Sequence, residues 1–85
     1  MADVPVFMKN TLRSLRIKHG YSQKTAAKLL NISDTTLRNW ERDSSGVTYA
    51  EIKRIEDTYN IPSDYIFFGK ELAFSELLKK KNKTA

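Results

Sequence analysis

The 85-residue sequence predicts an all-α bundle of five short helices, with a further helix allowed near the C-terminus. Three observations lead there. Apolar residues recur at helical spacing in successive short stretches, capping Ser or Thr residues precede several of them, and Gly or Asn closes most. A chain of this length supplies one small core and no room for a second. The expected organisation is a flexible arm over 1–8, a body over 9–69 and an extension over 70–85.

The arm is expected because Val4-Pro5-Val6 cannot begin a firm helix and nothing caps it. Met8, Leu12 and Leu15 then fall at i, i+4 and i+7, one stripe of a first helix, and Gly20 after His19 is suited to a left-handed close. Ser22 is placed to cap a second helix over 23–30. On it, Ala26, Ala27 and Leu30 share the inner side, while Lys24, Thr25 and Lys28 share the other. Two inner alanines allow another backbone to approach closely. Asn31 is the best non-glycine residue for a left-handed turn, and Ile32 is placed to plug the core beneath it.

Ser33 caps a third helix over 34–42, where the two faces separate. Asp34, Thr35, Arg38, Asn39 and Arg42 fall within one polar arc of roughly 140° at about 100° per residue. Thr36, Leu37, Trp40 and Glu41 lie opposite, with Leu37 and Trp40 as the apolar anchors. Residues 43–47 read as a loop. Thr48 caps a fourth helix over 49–59 with Ile52, Ile55 and Tyr59 inward, and Asn60 ends it. Pro62-Ser63 is expected to restart a short fifth helix holding Tyr65, Ile66, Phe67 and Phe68, closed by Gly69. Glu71 to Lys80 allows one more amphipathic helix, on which Leu72, Leu77 and Leu78 have no evident core partner. The Lys79–Lys83 run reads as a frayed, solubilising tail.

Composition narrows the function classes. With 40% hydrophobic and 29% charged residues the chain falls among folded proteins rather than disordered ones. There is no cysteine, and His19 is the single histidine, so no transition-metal site, cofactor or nucleophilic catalysis is expected. Gly20, Gly46 and Gly69 are too far apart for a phosphate-cradling loop. No signal peptide is predicted with Asp3 and Pro5 so early, and the longest apolar run, Tyr65 to Phe68, is far below a membrane span. A cytoplasmic protein with no membrane partner is the expectation.

The net charge of +5 is unevenly spread. Residues 9–42 carry eight Lys/Arg against Asp34 and Glu41, whereas residues 43–76 carry three against seven acids. A basic first half beside an acidic second half suits one face turned toward a polyanion. It also suits an ordinary solvated surface. Spacing has to decide.

Two short helices joined across Asn31, the second with a polar outer face, have the pattern of a helix-turn-helix. The run from Ser22-Gln23-Lys24-Thr25-Ala26-Ala27 through Thr36-Leu37-Arg38-Asn39-Trp40-Glu41-Arg42 resembles the Cro/CI family of phage and bacterial repressors, also called the XRE family. The resemblance continues through Ile61-Pro62-Ser63-Asp64-Tyr65-Ile66 and Gly69, and covers roughly residues 10–69. It implies a lambda-repressor-like fold and a regulator that binds operator sites in double-stranded DNA through the major groove, as a homodimer. By position, Gln23 matches a phosphate-binding glutamine, while Asp34, Thr35, Arg38 and Asn39 match residues that face base edges. Arg42, Thr48 and the Ser44/Ser45 loop lie where the family grips the backbone, and Lys24 joins them. Arg16 and Glu41 match a family pair, which implies an ion pair between the first and third helices.

Some positions keep two readings. Asp34 suits a bond from cytosine or simply complements the dipole of its own helix. Lys24, Lys28 and Arg13 also read as ordinary surface cations. Trp40 suits core packing better than a stacking platform, and without an exposed platform RNA is disfavoured. The rival function is an antitoxin or antirepressor whose main role is to bind a partner protein through residues 70–85.

Overall fold

The computed structural model describes residues 4–83; residues 1–3 of the expected arm and 84–85 of the expected tail lie outside that range. Five α-helices follow one another: α1 (Leu12–Lys18), α2 (Gln23–Leu30), α3 (Asp34–Arg42), α4 (Tyr49–Tyr59) and α5 (Glu71–Lys83). Two single 3-10 turns, Val6–Met8 and Ser63–Tyr65, punctuate the chain. Among the described residues there is no strand, only two isolated bridges, Asn10 with Ile66 and Asp43 with Lys70. No described helix is long and apolar enough to cross a membrane.

The helix boundaries follow from local chemistry. The hydroxyls of Thr11, Ser22, Ser33 and Thr48 each accept a hydrogen bond from the backbone N–H three residues on. At Thr48 the Glu51 carboxylate returns the favour to the Thr48 N–H at 2.8 Å, completing a capping box. Three helices also end alike. Gly20 (φ 72°), Asn31 (φ 60°) and Asn60 (φ 51°) turn left-handed, and the next N–H closes on the carbonyl five residues back. Those bonds are Tyr21 to Arg16, Ile32 to Ala27 and Ile61 to Glu56, at 3.0–3.2 Å. This is the Schellman close, available to Asn because its short polar side chain tolerates the left-handed region.

Leu12, Leu15, Ala26, Ala27, Leu30, Leu37, Ile55, Tyr59 and Ile66 form one buried core. Tyr21, Ile32, Trp40, Val47, Ile61 and Phe68 pack around it, partly exposed. Ile52, expected on the inner stripe of α4, is half-buried at the margin. The fully buried Ala26 and Ala27 allow α2 to lie close against α3.

The structure departs from the expected helices at both ends. Met8 is not on the α1 stripe: it sits in the first 3-10 turn, half exposed, because Thr11 caps the helix and starts it at Leu12. The expected fifth helix over 63–68 is a single turn followed by extended chain. Ile66, Phe67 and Phe68 are β-branched or aromatic, and such residues prefer an extended backbone. Asn10 takes advantage of it, donating to Tyr65 O and accepting from Phe67 N, both at 2.8 Å. The fifth helix is instead α5, which begins at Glu71 and runs to Lys83, past the expected Lys80. It lies beside the first 3-10 turn and α3, and Phe74 packs on Phe67 with ring centroids 5.0 Å apart.

Candidate nucleic-acid interface

The Asn31 turn aims α3. Leu37 and Glu41 point inward and are buried, with Thr36 and Trp40 half-buried beside them. The opposite arc, Asp34, Thr35, Arg38, Asn39 and Arg42, is exposed along the whole helix. All five are therefore brought together on one outer face, as the spacing predicts. Within it, Arg38 Nη2 donates to Thr35 Oγ1 at 3.2 Å, so one residue holds the guanidinium of the other. Asp34 lies in the first turn of α3, where its charge complements the helix dipole.

Beneath this face, three elements converge on one carboxylate. Arg16 of α1 donates to Glu41 of α3 through Nε (2.6 Å to Oε2) and Nη2 (3.3 Å to Oε1). Arg16 Nη1 also reaches the Tyr21 carbonyl at 3.1 Å, tying the pair to the corner between α1 and α2. Gln23, the first residue of α2, donates its side-chain amide to Glu41 Oε1 at 3.2 Å. Gln23 thus spends one of its two amide hydrogens inside the protein and keeps the second.

The residues expected at the flanks divide. Lys24 and Arg42 are exposed, on α2 and at the end of α3. Thr48 is exposed, but its hydroxyl oxygen caps α4. Ser45 is exposed, and its N–H donates to Asp43 Oδ1 at 3.0 Å. The Ser45 hydroxyl, and then that backbone hydrogen bond, hold the Asp43 carboxyl below its ordinary range, with Lys70 helping through its charge. Ser44 departs from the expectation of a backbone contact. It is 3% exposed, and its hydroxyl accepts from Gly69 N–H at 3.0 Å, so it faces the interior.

The Ser44–Gly69 contact and the contact of Glu71 with α1 both escaped sequence reasoning. Glu71 accepts from Thr11 Oγ1 at 3.5 Å and lies 3.7 Å from Arg13. Neither could be found from local periodicity, since each joins positions at least 25 residues apart. The one available signal was the run Ile66-Phe67-Phe68 before Gly69, which suits a short extended segment better than a helix.

Elsewhere the chemistry is structural. No group of three His, Cys, Asp or Glu residues able to hold a metal ion occurs among the described residues. His19 Nδ1 lies 2.9 Å from the Leu15 carbonyl, and its ring packs against Tyr21 and Tyr59. Burial pushes the Tyr59 hydroxyl up to about 12, with Glu41 adding to the effect.

Comparison with known proteins agrees with this geometry. A family model described as helix-turn-helix matches residues 12–66, from the start of α1 to the extended stretch. The HTH-type transcriptional regulator ImmR of Bacillus subtilis is 36% identical over 73 residues, covering 86% of this chain and 53% of that protein. A putative HTH-type transcriptional regulatory protein of Thermococcus gammatolerans is 39% identical over 51 residues, 60% of this chain and 16% of that protein. The chain thus spans about half the length of the first relative and far less of the second. With the family match lying on the Asn31 corner and the helices around it, the chain belongs to the XRE-type helix-turn-helix family.

Proposed function

We propose that this protein is a transcriptional regulator, in the cytoplasm, that binds double-stranded DNA by sequence, laying α3 in the major groove. The observation that carries the reading is the outer face of α3. Thr35, Arg38 and Asn39 are exposed in one line while Leu37 and Glu41 fix the helix from behind. Arg pairs bidentately with guanine, Asn with adenine, and the Thr methyl touches thymine. Asp34 faces cytosine. Gln23, through its second amide hydrogen, and Lys24, Arg42, Ser45 and Thr48 grip phosphates on either side. The relatives carry names that say transcriptional regulator, which supports the same reading.

One recognition helix covers only a few base pairs, so the protein acts as a homodimer on two half-sites about 34 Å apart, as a repressor of phage or mobile-element type. Selection of duplexes from a random pool, at a stated salt concentration, tests this. The expected result is an inverted repeat with that spacing; a pool that stays random after several rounds excludes sequence reading.

A second reading, an antitoxin or antirepressor that binds a protein partner, is favoured by Leu72 and Leu77, which α5 leaves 71% and 42% exposed. Leu72→Lys with Leu77→Lys separates the two. Loss of a co-purifying partner with operator binding intact supports the partner role.

A further inference from the structure

The groove shared by α1, α2, α3 and the start of α5 holds more cationic capacity than the DNA contacts above use. It is lined by Arg13, Gln23, Arg38, Glu41, Arg42 and Glu71. Three of these are guanidinium cations and two are carboxylates. Glu41 is already answered, since Arg16 donates to both its oxygens and Gln23 to one. Glu71 is held only loosely. Its Oε1 lies 3.7 Å from Arg13 Nη1, and Thr11 Oγ1 donates to its Oε2 at 3.5 Å. The Arg13 and Glu71 side chains are 57% and 32% exposed. A long, solvated pair of this kind contributes little to stability.

We propose that Arg13 is a further ligand for a phosphate of the DNA backbone, and that Glu71 occupies its guanidinium until the duplex takes its place. This rests on the DNA-binding reading above. Gln23 and Arg42, both assigned there to phosphates, line the same groove as Arg13. A phosphodiester in that groove presents Arg13 with two oxygens matched to its fork, and binding there releases condensed counterions. Glu71 meets Arg13 through one oxygen only, at 3.7 Å, and releases no condensed counterions. Because Glu71 opens α5, the exchange also couples α5 to DNA binding: the duplex takes Arg13 away from the contact between α5 and α1.

The test uses the full chain with Glu71→Gln, Arg13→Gln and the double variant. Binding to a selected and a random labelled duplex is measured by fluorescence anisotropy over a range of salt concentrations. Arg13→Gln is expected to weaken both duplexes and to lower the slope of log K against log salt by about 0.9. Glu71→Gln is expected to tighten both by about fivefold, and that gain disappears when Arg13 is also replaced. An unchanged salt slope in Arg13→Gln, or an equal gain with and without Arg13, overturns the exchange while leaving DNA binding in place. If the unsubstituted chain retains no duplex, the DNA-binding reading and the exchange fall together. Arg13→Gln read by salt slope decides the question even where Glu71→Gln lowers stability, because a purely structural tie moves the melting temperature and not the slope.

Discussion

Ser44 and Gly69 clasp one another in both directions: Ser44 N–H donates to the Gly69 carbonyl at 3.0 Å, and Gly69 N–H donates to Ser44 Oγ at 3.0 Å. The contact fastens the loop after α3 to the chain that leads into α5. Gly69 also has an unusual backbone, with φ at 157°, and a Cβ built there would stand 3.0 Å from the Phe67 ring. Both residues are therefore confined by structure.

Ser44→Ala leaves the Gly69 N–H without its acceptor at a partly buried position. The expected loss is about 1–3 kcal/mol, read as a fall in melting temperature by circular dichroism. Gly69→Ala should destabilise as well, because an L side chain rarely adopts that φ and the Phe67 ring would have to move aside. DNA affinity of the folded Ser44→Ala fraction should be unchanged. A normal melting temperature with weakened DNA binding would return Ser44 to the interface.

What the sequence made legible was whatever local spacing governs. The bounds of α2, α3 and α4 follow from Ser22, Ser33 and Thr48 at their starts and from Asn31 and Asn60 at the ends of α2 and α4, and each cap acts within a few residues. The outer face of α3 was legible for the same reason. Ser44 was misplaced because its burial depends on Gly69, which no periodicity links to it. The extended run at Ile66 depends likewise on Asn10, at the far end of the body. Polar residues in loops look alike in sequence whether they face solvent or another loop.

The Arg16–Glu41 pair is the polar centre of the fold, with side chains only 14% and 5% exposed. Glu41→Gln removes the charge that compensates Arg16, and breaking a buried pair from one side costs roughly 3–5 kcal/mol. Replacing both partners with apolar residues, Arg16→Met with Glu41→Leu, should cost less than Glu41→Gln alone. Urea denaturation of the unsubstituted chain, Arg16→Met, Glu41→Leu and the double variant closes the cycle, with Glu41→Gln measured beside them. Simple additivity would mean that the pair is not coupled.

Tyr59 shows the reverse case. The side chain is buried in the core, and its hydroxyl has no hydrogen-bond partner among the described residues. Tyr59→Phe removes a desolvated group without opening a cavity, so stability should hold or rise by about 1 kcal/mol. Its pH dependence has a definite sign. The folded hydroxyl titrates near 12 against about 10 when unfolded, so between those values the unfolded chain gives up the proton first. The native protein should lose stability across that window, and Tyr59→Phe should lose less. Parallel curves for the two proteins from pH 10 to 12 would contradict the burial argument.

The bond from Arg38 to Thr35 bears on how α3 would select a site under the proposed DNA-binding reading. If Thr35 holds the guanidinium in place, the two side chains read bases as a unit, and their contributions should not add. Arg38→Ala is expected to cost about 1–3 kcal/mol on the preferred duplex and to relax choice at one base pair. Thr35→Ala should lose part of that preference by freeing the Arg38 side chain, yet add little once Arg38 is gone. Lys24→Ala offers the contrast. Lys24 is proposed as an exposed phosphate contact, so its loss should weaken selected and random duplexes alike and lower the salt slope by about 1. Equal losses on both duplexes for Arg38→Ala would mark it as a backbone contact and leave Asn39 as the first residue to test for base reading.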